Sequence, residues 1–196
     1  NPKGIKDWSD LGRADVVPLI ANPKTSGAAR LAYLAAWAHA ERADKAGAEA
    51  WMAGWLKRVP TFDAGARGAT TTFVRRQIGD VLLNWENEAH LAVAESKGGV
   101  QVVVPTRSIL AEPPVAWVDA VVQKRGTAAL AKAYLEFLAS EPAQEIAAKH
   151  HYRPRLAVVA DRHKADLPAL ELFTVDGVFG GWAKAQAAHF ADGASF

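Results

Sequence analysis

Hydrophobic positions along the chain follow two spacings, one typical of helices and one of short buried strands. Leu31, Leu34, Ala35 and Ala38 recur at helical spacing after a turn-rich stretch, so a helix is predicted from residue 28 onward. The same pattern predicts helices over residues 48–58, 70–78, 87–95, 127–139, 141–149 and 181–190, with loops at 62–69 and 153–170. Short apolar runs predict strands at residues 16–20, 81–83, 100–104 and 115–122. This alternation indicates an α/β protein with a largely parallel sheet.

The composition is that of an ordinary folded protein and excludes several classes of chemistry. Half of the 196 residues are apolar and 22% are charged, which suits one large domain or two small lobes. Because the 23 Lys and Arg residues nearly balance 21 Asp and Glu residues and are scattered, neither nucleic-acid nor anionic-membrane binding is predicted. The absence of cysteine excludes disulfides and thiolate chemistry. No apolar run approaches the ~20 residues of a membrane span.

The stretch from Thr25 to Arg30 has the composition of an anion site at a helix N-terminus. Ser26 is a favourable N-cap, and the N–H groups of Gly27 and Ala28 would lie in a first turn without intrahelical acceptors. The helix dipole adds positive potential, and small side chains let an anion approach the backbone. An ordinary capped helix has the same composition, so the stretch alone leaves both interpretations open.

Two further segments fit the same chemistry. Residues 63–72 combine glycine and alanine with threonines that begin a predicted helix, and Arg67 there can supply a charge-assisted hydrogen bond. Residues 79–88 contain a predicted strand ending in Trp85, whose indole is a donor only. The alternatives are a glycine-rich turn with a surface arginine for the first segment and a core tryptophan for the second.

Together and in this order, these segments resemble the sulfate-binding proteins of bacterial ABC importers, which include the closely similar thiosulfate-binding proteins. The matching motifs are NPKTSG (residues 22–27), GARG with TTTF (65–68 and 70–73), GDV with WENEA (79–81 and 85–89), ILAEPPV (109–115), QEIAAK with YRPR (144–149 and 152–155) and FGGWAKAQ (179–186). They extend over essentially the whole chain, and their combination is specific although each motif alone is not.

The resemblance implies a periplasmic binding protein of type II, with two α/β lobes and a cleft that holds the sulfate dianion. Carried over by motif, the donors are one hydroxyl, one indole N–H and several backbone N–H groups, from Ser26, Gly27, Ala28, Ala66 and Trp85. Ser26 is expected to donate both its hydroxyl and its N–H. Thr25 and Arg67 are expected to support the site, with Arg67 behind the loop as an orienting or charge-balancing group. The implied partners are sulfate or thiosulfate and the permease subunits of an ABC importer, with no catalytic residue, metal or cofactor.

The chain departs from the family pattern at one site residue and in length. The family usually shows Gly-Gly after the serine, whereas Ala28 stands second here and keeps its donor if its φ is negative. Family members are also longer, so the resemblance implies one complete lobe and part of another, without an N-terminal lobe segment. Residues 1–86 are expected to form the anion-binding lobe, 87–160 a partial second lobe with hinge strands, and 161–196 a C-terminal segment packing on both. The start at Asn1, without a visible signal peptide, suggests a mature or trimmed segment.

A site built only of donors would favour sulfate, which carries no proton at neutral pH. Protonated phosphate would bring an O–H group that faces only donors, and such an unpaired buried polar group costs about 1–3 kcal/mol. The hypothesis is that selectivity comes from the lack of an acceptor, and equal competition by phosphate at neutral pH would overturn it.

Two other classes of function remain as alternatives at this point. An enzyme acting on a sulfate or phosphate ester has poor candidates, because the six histidines show no helical zinc spacing and neither a Gly-x-Ser-x-Gly elbow nor a Walker lysine motif is present. A truncated lobe serving as an interaction module would use some of the seven tryptophans, although Trp37, Trp51 and Trp55 fall on apolar helix stripes typical of a core.

Overall fold

The computed structural model describes residues 1–196, which divide into two compact units, residues 1–111 with 170–196 and residues 112–169. The first unit contains two pairs of strands and most of the longer helices. Its elements are a 3-10 helix at Trp8–Gly12, β1 (Pro18–Ile20), α1 (Gly27–Ala43), α2 (Ala48–Leu56), α3 (Ala66–Arg76), β2 (Val81–Leu83), α4 (Glu86–Glu95), β3 (Arg107–Ile109), β4 (Glu171–Phe173), α9 (Val175–Phe179), α10 (Trp182–Ala185) and a π-helix at Gln186–Phe190. No helix of the structure combines the length and apolarity needed to cross a bilayer.

All strand pairs are parallel, but they form two separate pairs and not the single sheet that the sequence predicts. β1 pairs with β2 in the register Leu19 opposite Leu82, and β3 pairs with β4 in the register Ser108 opposite Leu172. The core of the first unit lies between these pairs and the helices, and Tyr33 on α1 and Trp55 on α2 are fully buried in it. α1 contacts α2 and β3, whereas α3 contacts β1, β2 and α4.

The second unit consists of four helices, α5 (Asp119–Arg125), α6 (Ala128–Leu138), α7 (Glu141–Lys149) and α8 (Ala157–Arg162). α5 contacts α6, and α7 contacts both α6 and α8. Its buried side chains are few and include Val122, Ala148 and Val159, while α6 has no buried residue. The unit boundaries differ from the boundaries near residues 86 and 160 that were predicted for lobes, because the chain returns to the first unit through β4. The assignment of segments to lobes stays a prediction.

Most predicted helices are confirmed, and several other predicted elements are wrong. α3 begins at Ala66 and not at residue 70, because Gly65 adopts an extended conformation at the N-cap and the helix starts directly after it. Residues 100–104 form no strand, and the strand in this region is β3, which pairs with the unpredicted β4. The predicted strand at 115–122 is also absent, since α5 begins within it. Residues 153–170 contain the short helix α8, and residues 182–190 change from α-helix to π-helix.

Candidate functional site

The ends of β1 and β2 bring the predicted site segments to one edge of the first unit. Ile20 lies opposite Leu83 in the parallel register, so the two strands end side by side. The chain leaves β1 toward the N-terminus of α1 and leaves β2 toward the N-terminus of α4. The carboxyl ends of parallel strands, followed by helix N-termini, are where α/β proteins bind their ligands.

The loop before α1 is closed on itself by hydrogen bonds that start from one asparagine. The carbonyl oxygen of Asn22 accepts from the N–H of Thr25 at 3.0 Å and from the N–H of Ser26 at 2.9 Å. The Asn22 side-chain oxygen accepts from the N–H of Lys24 at 2.8 Å. These bonds fix the loop as a tight turn, in which each donor has an acceptor inside the protein.

This turn corrects one part of the predicted donor set. The Ser26 N–H was expected to bind the anion, but it donates to Asn22 within the turn. Ser26 is the N-cap of α1, and its hydroxyl oxygen accepts from the N–H of Ala29 at 3.4 Å. Because that bond uses a lone pair of the oxygen, the hydroxyl hydrogen remains able to donate. Ser26 therefore retains one of its two predicted donors.

The backbone after Ser26 has the features that a helix-end anion site needs. Gly27 and Ala28 are the first two residues of α1, where N–H groups have no intrahelical acceptor. Ala28 is not among the residues with positive φ, so its N–H is oriented as in an ordinary first turn. A Cβ atom added to Gly27 would meet no atom within 4 Å, which means that the space beside this backbone is open.

The α3 N-terminus is tied to the loop before α1. The Thr25 hydroxyl donates to the carbonyl oxygen of Ala64 at 2.8 Å. The N–H of Asn22 donates to the carbonyl oxygen of Asp63 at 2.7 Å. Gly65 caps α3 without any side-chain hydrogen bond, so Ala66 opens the helix with an N–H that lacks an intrahelical acceptor. Thr25 thus joins the loop before α1 to the loop before α3. The sequence motif alone did not specify this contact.

Trp85 lies at the third helix N-terminus. β2 ends at Leu83, two residues before the position predicted, and Trp85 is the half-buried N-cap of α4. Its backbone N–H donates to the side-chain oxygen of Asn84 at 2.8 Å, and its carbonyl oxygen accepts from the N–H of Ala89 at 2.9 Å. Both backbone groups are therefore engaged, which fixes the residue while leaving its indole N–H out of these bonds.

Arg67 lies on the first turn of α3 but is directed toward α4. Its guanidinium hydrogen-bonds the Glu95 carboxylate and lies 3.7 Å from the carboxylate of Glu88. The hydrogen bond to Glu95 raises the pKa of Arg67 above its usual value. The side chain therefore joins α3 to α4, and its expected charge-balancing role at an anion stays a prediction.

Sequence reasoning missed a role for Arg30, in the first turn of α1. Its Nε donates to the carbonyl oxygen of Pro23 at 2.8 Å, and its Nη1 donates to the side chain of Gln186 at 3.0 Å. The guanidinium carbon also lies 5.2 Å from the centre of the Phe190 ring. Arg30 thereby links the loop before α1 to the C-terminal π-helix. Arg30 ends the stretch that the sequence identified as an anion site, so the residue itself could have been singled out. Its role was missed because Gln186 and Phe190 are distant from it in sequence.

Two surface cavities of the first unit lie away from these helix N-termini. One of about 410 Å³ is lined by residues that include His39, Arg42, Arg107 and Glu171. The other, of about 560 Å³, is lined by residues that include Trp37, Glu41, His189 and Ser195. Neither contains a predicted donor.

Comparisons with known proteins agree with the motifs. The family model for bacterial extracellular solute-binding proteins matches residues 1–153. The chain is 53% identical to the sulfate-binding protein of Salmonella typhimurium over 100% of its own length and 61% of that protein. It is 48% identical to the thiosulfate-binding protein of Escherichia coli over 98% of its own length and 58% of that protein. These identities confirm the resemblance on which the sequence prediction rests.

A solved structure extends the likeness to the fold. The sulfate-binding protein SubI from Mycobacterium tuberculosis superposes with a TM-score of 0.84 at 28% identity, over 96% of this chain and 65% of that one. The α/β fold is thus confirmed, while the chain spans about three fifths of the length of the curated relatives it matches. The family consists of solute-binding proteins, so the enzymatic alternative is set aside. The chain belongs to the bacterial extracellular solute-binding proteins.

Proposed function

We propose that the chain supplies an anion-binding wall of a periplasmic receptor that delivers sulfate or thiosulfate to the permease subunits of an ABC importer. One observation carries this proposal. The N-termini of α1, α3 and α4 are joined by hydrogen bonds at the edge where β1 and β2 end. The names of the relatives, which are sulfate-binding and thiosulfate-binding proteins, support the choice of anion.

The proposed donors are the Ser26 hydroxyl, the indole N–H of Trp85, and the backbone N–H groups of Gly27, Ala28 and Ala66. Each backbone donor belongs to the first turn of a helix, where the partial positive charge of the helix dipole is concentrated. A dianion there needs no formal counter-charge, because oriented dipoles replace its hydration shell. Thr25 and Arg67 support the donors from behind, through Ala64 and through α4.

We also propose that the chain corresponds to part of a type II binding protein, with one complete lobe and part of the other. In this proposal residues 1–86 form the anion-binding lobe, residues 87–160 part of the second lobe, and residues 161–196 a segment packing on both. The share of the relatives that the chain matches, 61% for the protein of Salmonella typhimurium, supports this reading. A further segment of the receptor would then complete the shell around the anion.

The proposal is tested by calorimetric titration of sulfate and thiosulfate into this chain and into a chain extended at its N-terminus by the corresponding region of a relative. We expect weak binding by the chain alone and much tighter binding by the extended chain. Equal, undetectable heats from both would contradict the proposed function.

Selectivity is tested with phosphate in the same titration. A wall of donors offers no acceptor to the O–H group of protonated phosphate, so sulfate is expected to bind at least about tenfold more tightly at neutral pH. The carboxylate of Asp63, in the loop before α3, has one oxygen that is buried without a hydrogen-bond partner. If the site lacks an acceptor, Asp63→Asn leaves the preference for sulfate unchanged. A reduced preference would identify Asp63 as an acceptor and contradict the hypothesis.

A further inference from the structure

A network of four hydrogen bonds connects the two segments that carry Ala66 and Trp85. The side-chain oxygen of Asn84 accepts from the backbone N–H of Trp85 at 2.8 Å. The Asn84 amide nitrogen donates to the hydroxyl of Thr70 at 2.8 Å, and that hydroxyl donates to the carbonyl oxygen of Ala66 at 3.1 Å. The same amide nitrogen also donates directly to the Ala66 carbonyl oxygen, at 3.4 Å. Asn84 follows β2 directly, so the hydrogen-bond network is anchored on the strand pair of β1 and β2.

The direction of each bond is set by the groups involved. The Asn84 amide nitrogen can only donate, so the Thr70 hydroxyl accepts from it with a lone pair and keeps its single hydrogen for the Ala66 carbonyl oxygen. An amide side chain has its acceptor and its donors on different atoms, so Asn84 can accept from Trp85 and donate to Thr70 at the same time. Thr70 is fully buried, so water cannot replace a lost partner.

The groups that this network uses are not the groups proposed to bind the anion. It engages the carbonyl oxygen of Ala66 and the backbone N–H of Trp85, and it leaves the Ala66 N–H and the Trp85 indole N–H available. Its two ends lie on the residues that carry two of the proposed donors, and it ties the Ala66 carbonyl group to the backbone of Trp85.

We propose that Asn84 is a positioning residue that, together with Thr70, sets the distance between the Ala66 N–H and the Trp85 indole. This inference rests on the proposed function, because the two donors matter only if they share an anion. It adds a residue that contacts neither the anion nor the proposed donor atoms. Pre-organised donors avoid the cost of reordering on binding, so loss of the network weakens binding even where the fold survives.

The test compares Asn84→Ala, Thr70→Val and the double variant with a matched control. Thr71→Val is the control, because the Thr71 hydroxyl also bonds a carbonyl four residues earlier, that of Arg67 at 3.1 Å, but meets no asparagine. In sulfate titrations, each of the two network variants is expected to weaken binding about tenfold, and the double variant no more than either alone. Thr71→Val is expected to stay within about twofold. Thr70→Ser, which keeps the hydroxyl, should restore most of the affinity that Thr70→Val loses.

A second readout separates this inference from the proposed function. In nitrogen–proton correlation spectra of the ligand-free chain, Asn84→Ala and Thr70→Val are expected to shift the Ala66 amide and Trp85 indole resonances, whereas Thr71→Val leaves both in place. If neither the parent nor the chain extended at its N-terminus binds sulfate, the proposed function fails and these spectra alone decide the positioning role. Unmoved resonances in both network variants overturn it. The positioning role is also overturned if Asn84→Ala and Thr71→Val lose the same amount of sulfate affinity at equal melting temperatures.

Discussion

At Ser26 a single hydroxyl combines one observed role, as a helix cap, with one proposed role, as an anion donor. Its oxygen caps α1 by accepting from Ala29, and its hydrogen is one of the proposed anion donors. The two roles respond differently to substitution, because losing a cap lowers the free energy of unfolding whereas losing a donor lowers affinity.

Substituting Ser26→Ala is therefore expected to lower the free energy of unfolding by about 1 kcal/mol, the usual value of an N-cap. Sulfate affinity should fall by about ten- to hundredfold, because a hydrogen bond to a charged group contributes about 1.5–3 kcal/mol. Denaturant melts and sulfate titrations measure the two effects. Thr174→Ala is the matched control, since Thr174 caps α9 by the same bond, to the N–H of Gly177. It should lower stability only. Unchanged sulfate affinity in Ser26→Ala would remove this residue from the site.

We expect His189 to make the stability of the first unit depend on pH. Its Nδ1 lies 2.9 Å from the Ser195 hydroxyl, and its ring lies 4.6 Å from that of Trp37 and 5.5 Å from that of Phe179. Burial among these groups lowers the pKa of His189, and the charge of Glu41 opposes that shift. Burial lowers the pKa of His39 in the same direction.

A lowered histidine pKa means that the unfolded chain binds more protons than the folded one. The contribution of such a histidine to the free energy of unfolding is therefore constant above the unfolded pKa of about 6.5. It falls as the pH drops from there to the pKa of the folded chain. His189→Asn, which can keep a hydrogen bond to Ser195 but does not titrate, should flatten this slope in denaturant melts taken across the window. His39 titrates in both proteins, so the difference between them isolates His189. Identical slopes would show that His189 does not contribute.

At the scale of elements, the first turn of α1 combines open space with unpaired donors. Gly27→Ala introduces a residue with higher helix propensity and no clash, so stability should be unchanged or rise by up to about 1 kcal/mol. Sulfate affinity should fall, because the methyl group takes up space beside the proposed donors. Gly54→Ala is the control, since Gly54 lies within α2 and its added Cβ also meets nothing within 4 Å. It should stabilise the chain without changing affinity. A Gly27→Ala variant that binds sulfate as tightly as the parent would show that the anion approaches elsewhere.

The sequence predicted helices better than strands, for reasons visible in particular elements. Leu31, Leu34 and Ala35 lie on the face of α1 that packs on the core. The helical spacing of these residues therefore predicted both the helix and the face that it buries. The valines at 115–122 suggested a strand, but a strand needs a partner. Asp119 in the first turn and Gly126 in the left-handed conformation favour the helix α5 instead. Strands of three residues, such as β3, carry too little pattern to identify their partner.

Local patterns also predicted the site only in part. The motifs identified the helix N-terminus at Ser26, because capping residues and small side chains are local features. The helices that start at Ala66 and Glu86 were predicted to start later, at residues 70 and 87. The bonds that bring these N-termini together, from Thr25 to Ala64 and from Asn84 to Thr70, join residues that are far apart in sequence. Chain topology decides such contacts, so the sequence alone could not show them.

At the scale of the whole molecule, binding and stability should be linked. An anion that binds only the folded chain stabilises it by RT ln(1 + [L]/Kd), so added sulfate should raise the melting temperature progressively. Sodium chloride at matched ionic strength is the control for screening. Sulfate and chloride curves that coincide would argue against a specific site.

The most direct test of the central claim is to observe the proposed donors while sulfate is added. The chain is labelled with nitrogen-15, and its amide and indole resonances are followed during a sulfate titration at constant ionic strength. This detects weak binding as well as tight binding. We predict that the amides of Gly27, Ala28 and Ala66 and the indole of Trp85 shift together along one binding curve, while the Ser26 amide, bonded to Asn22, shifts less. If these resonances stay in place at the highest sulfate concentration, or if a different group of residues moves, the three helix N-termini are not the anion site.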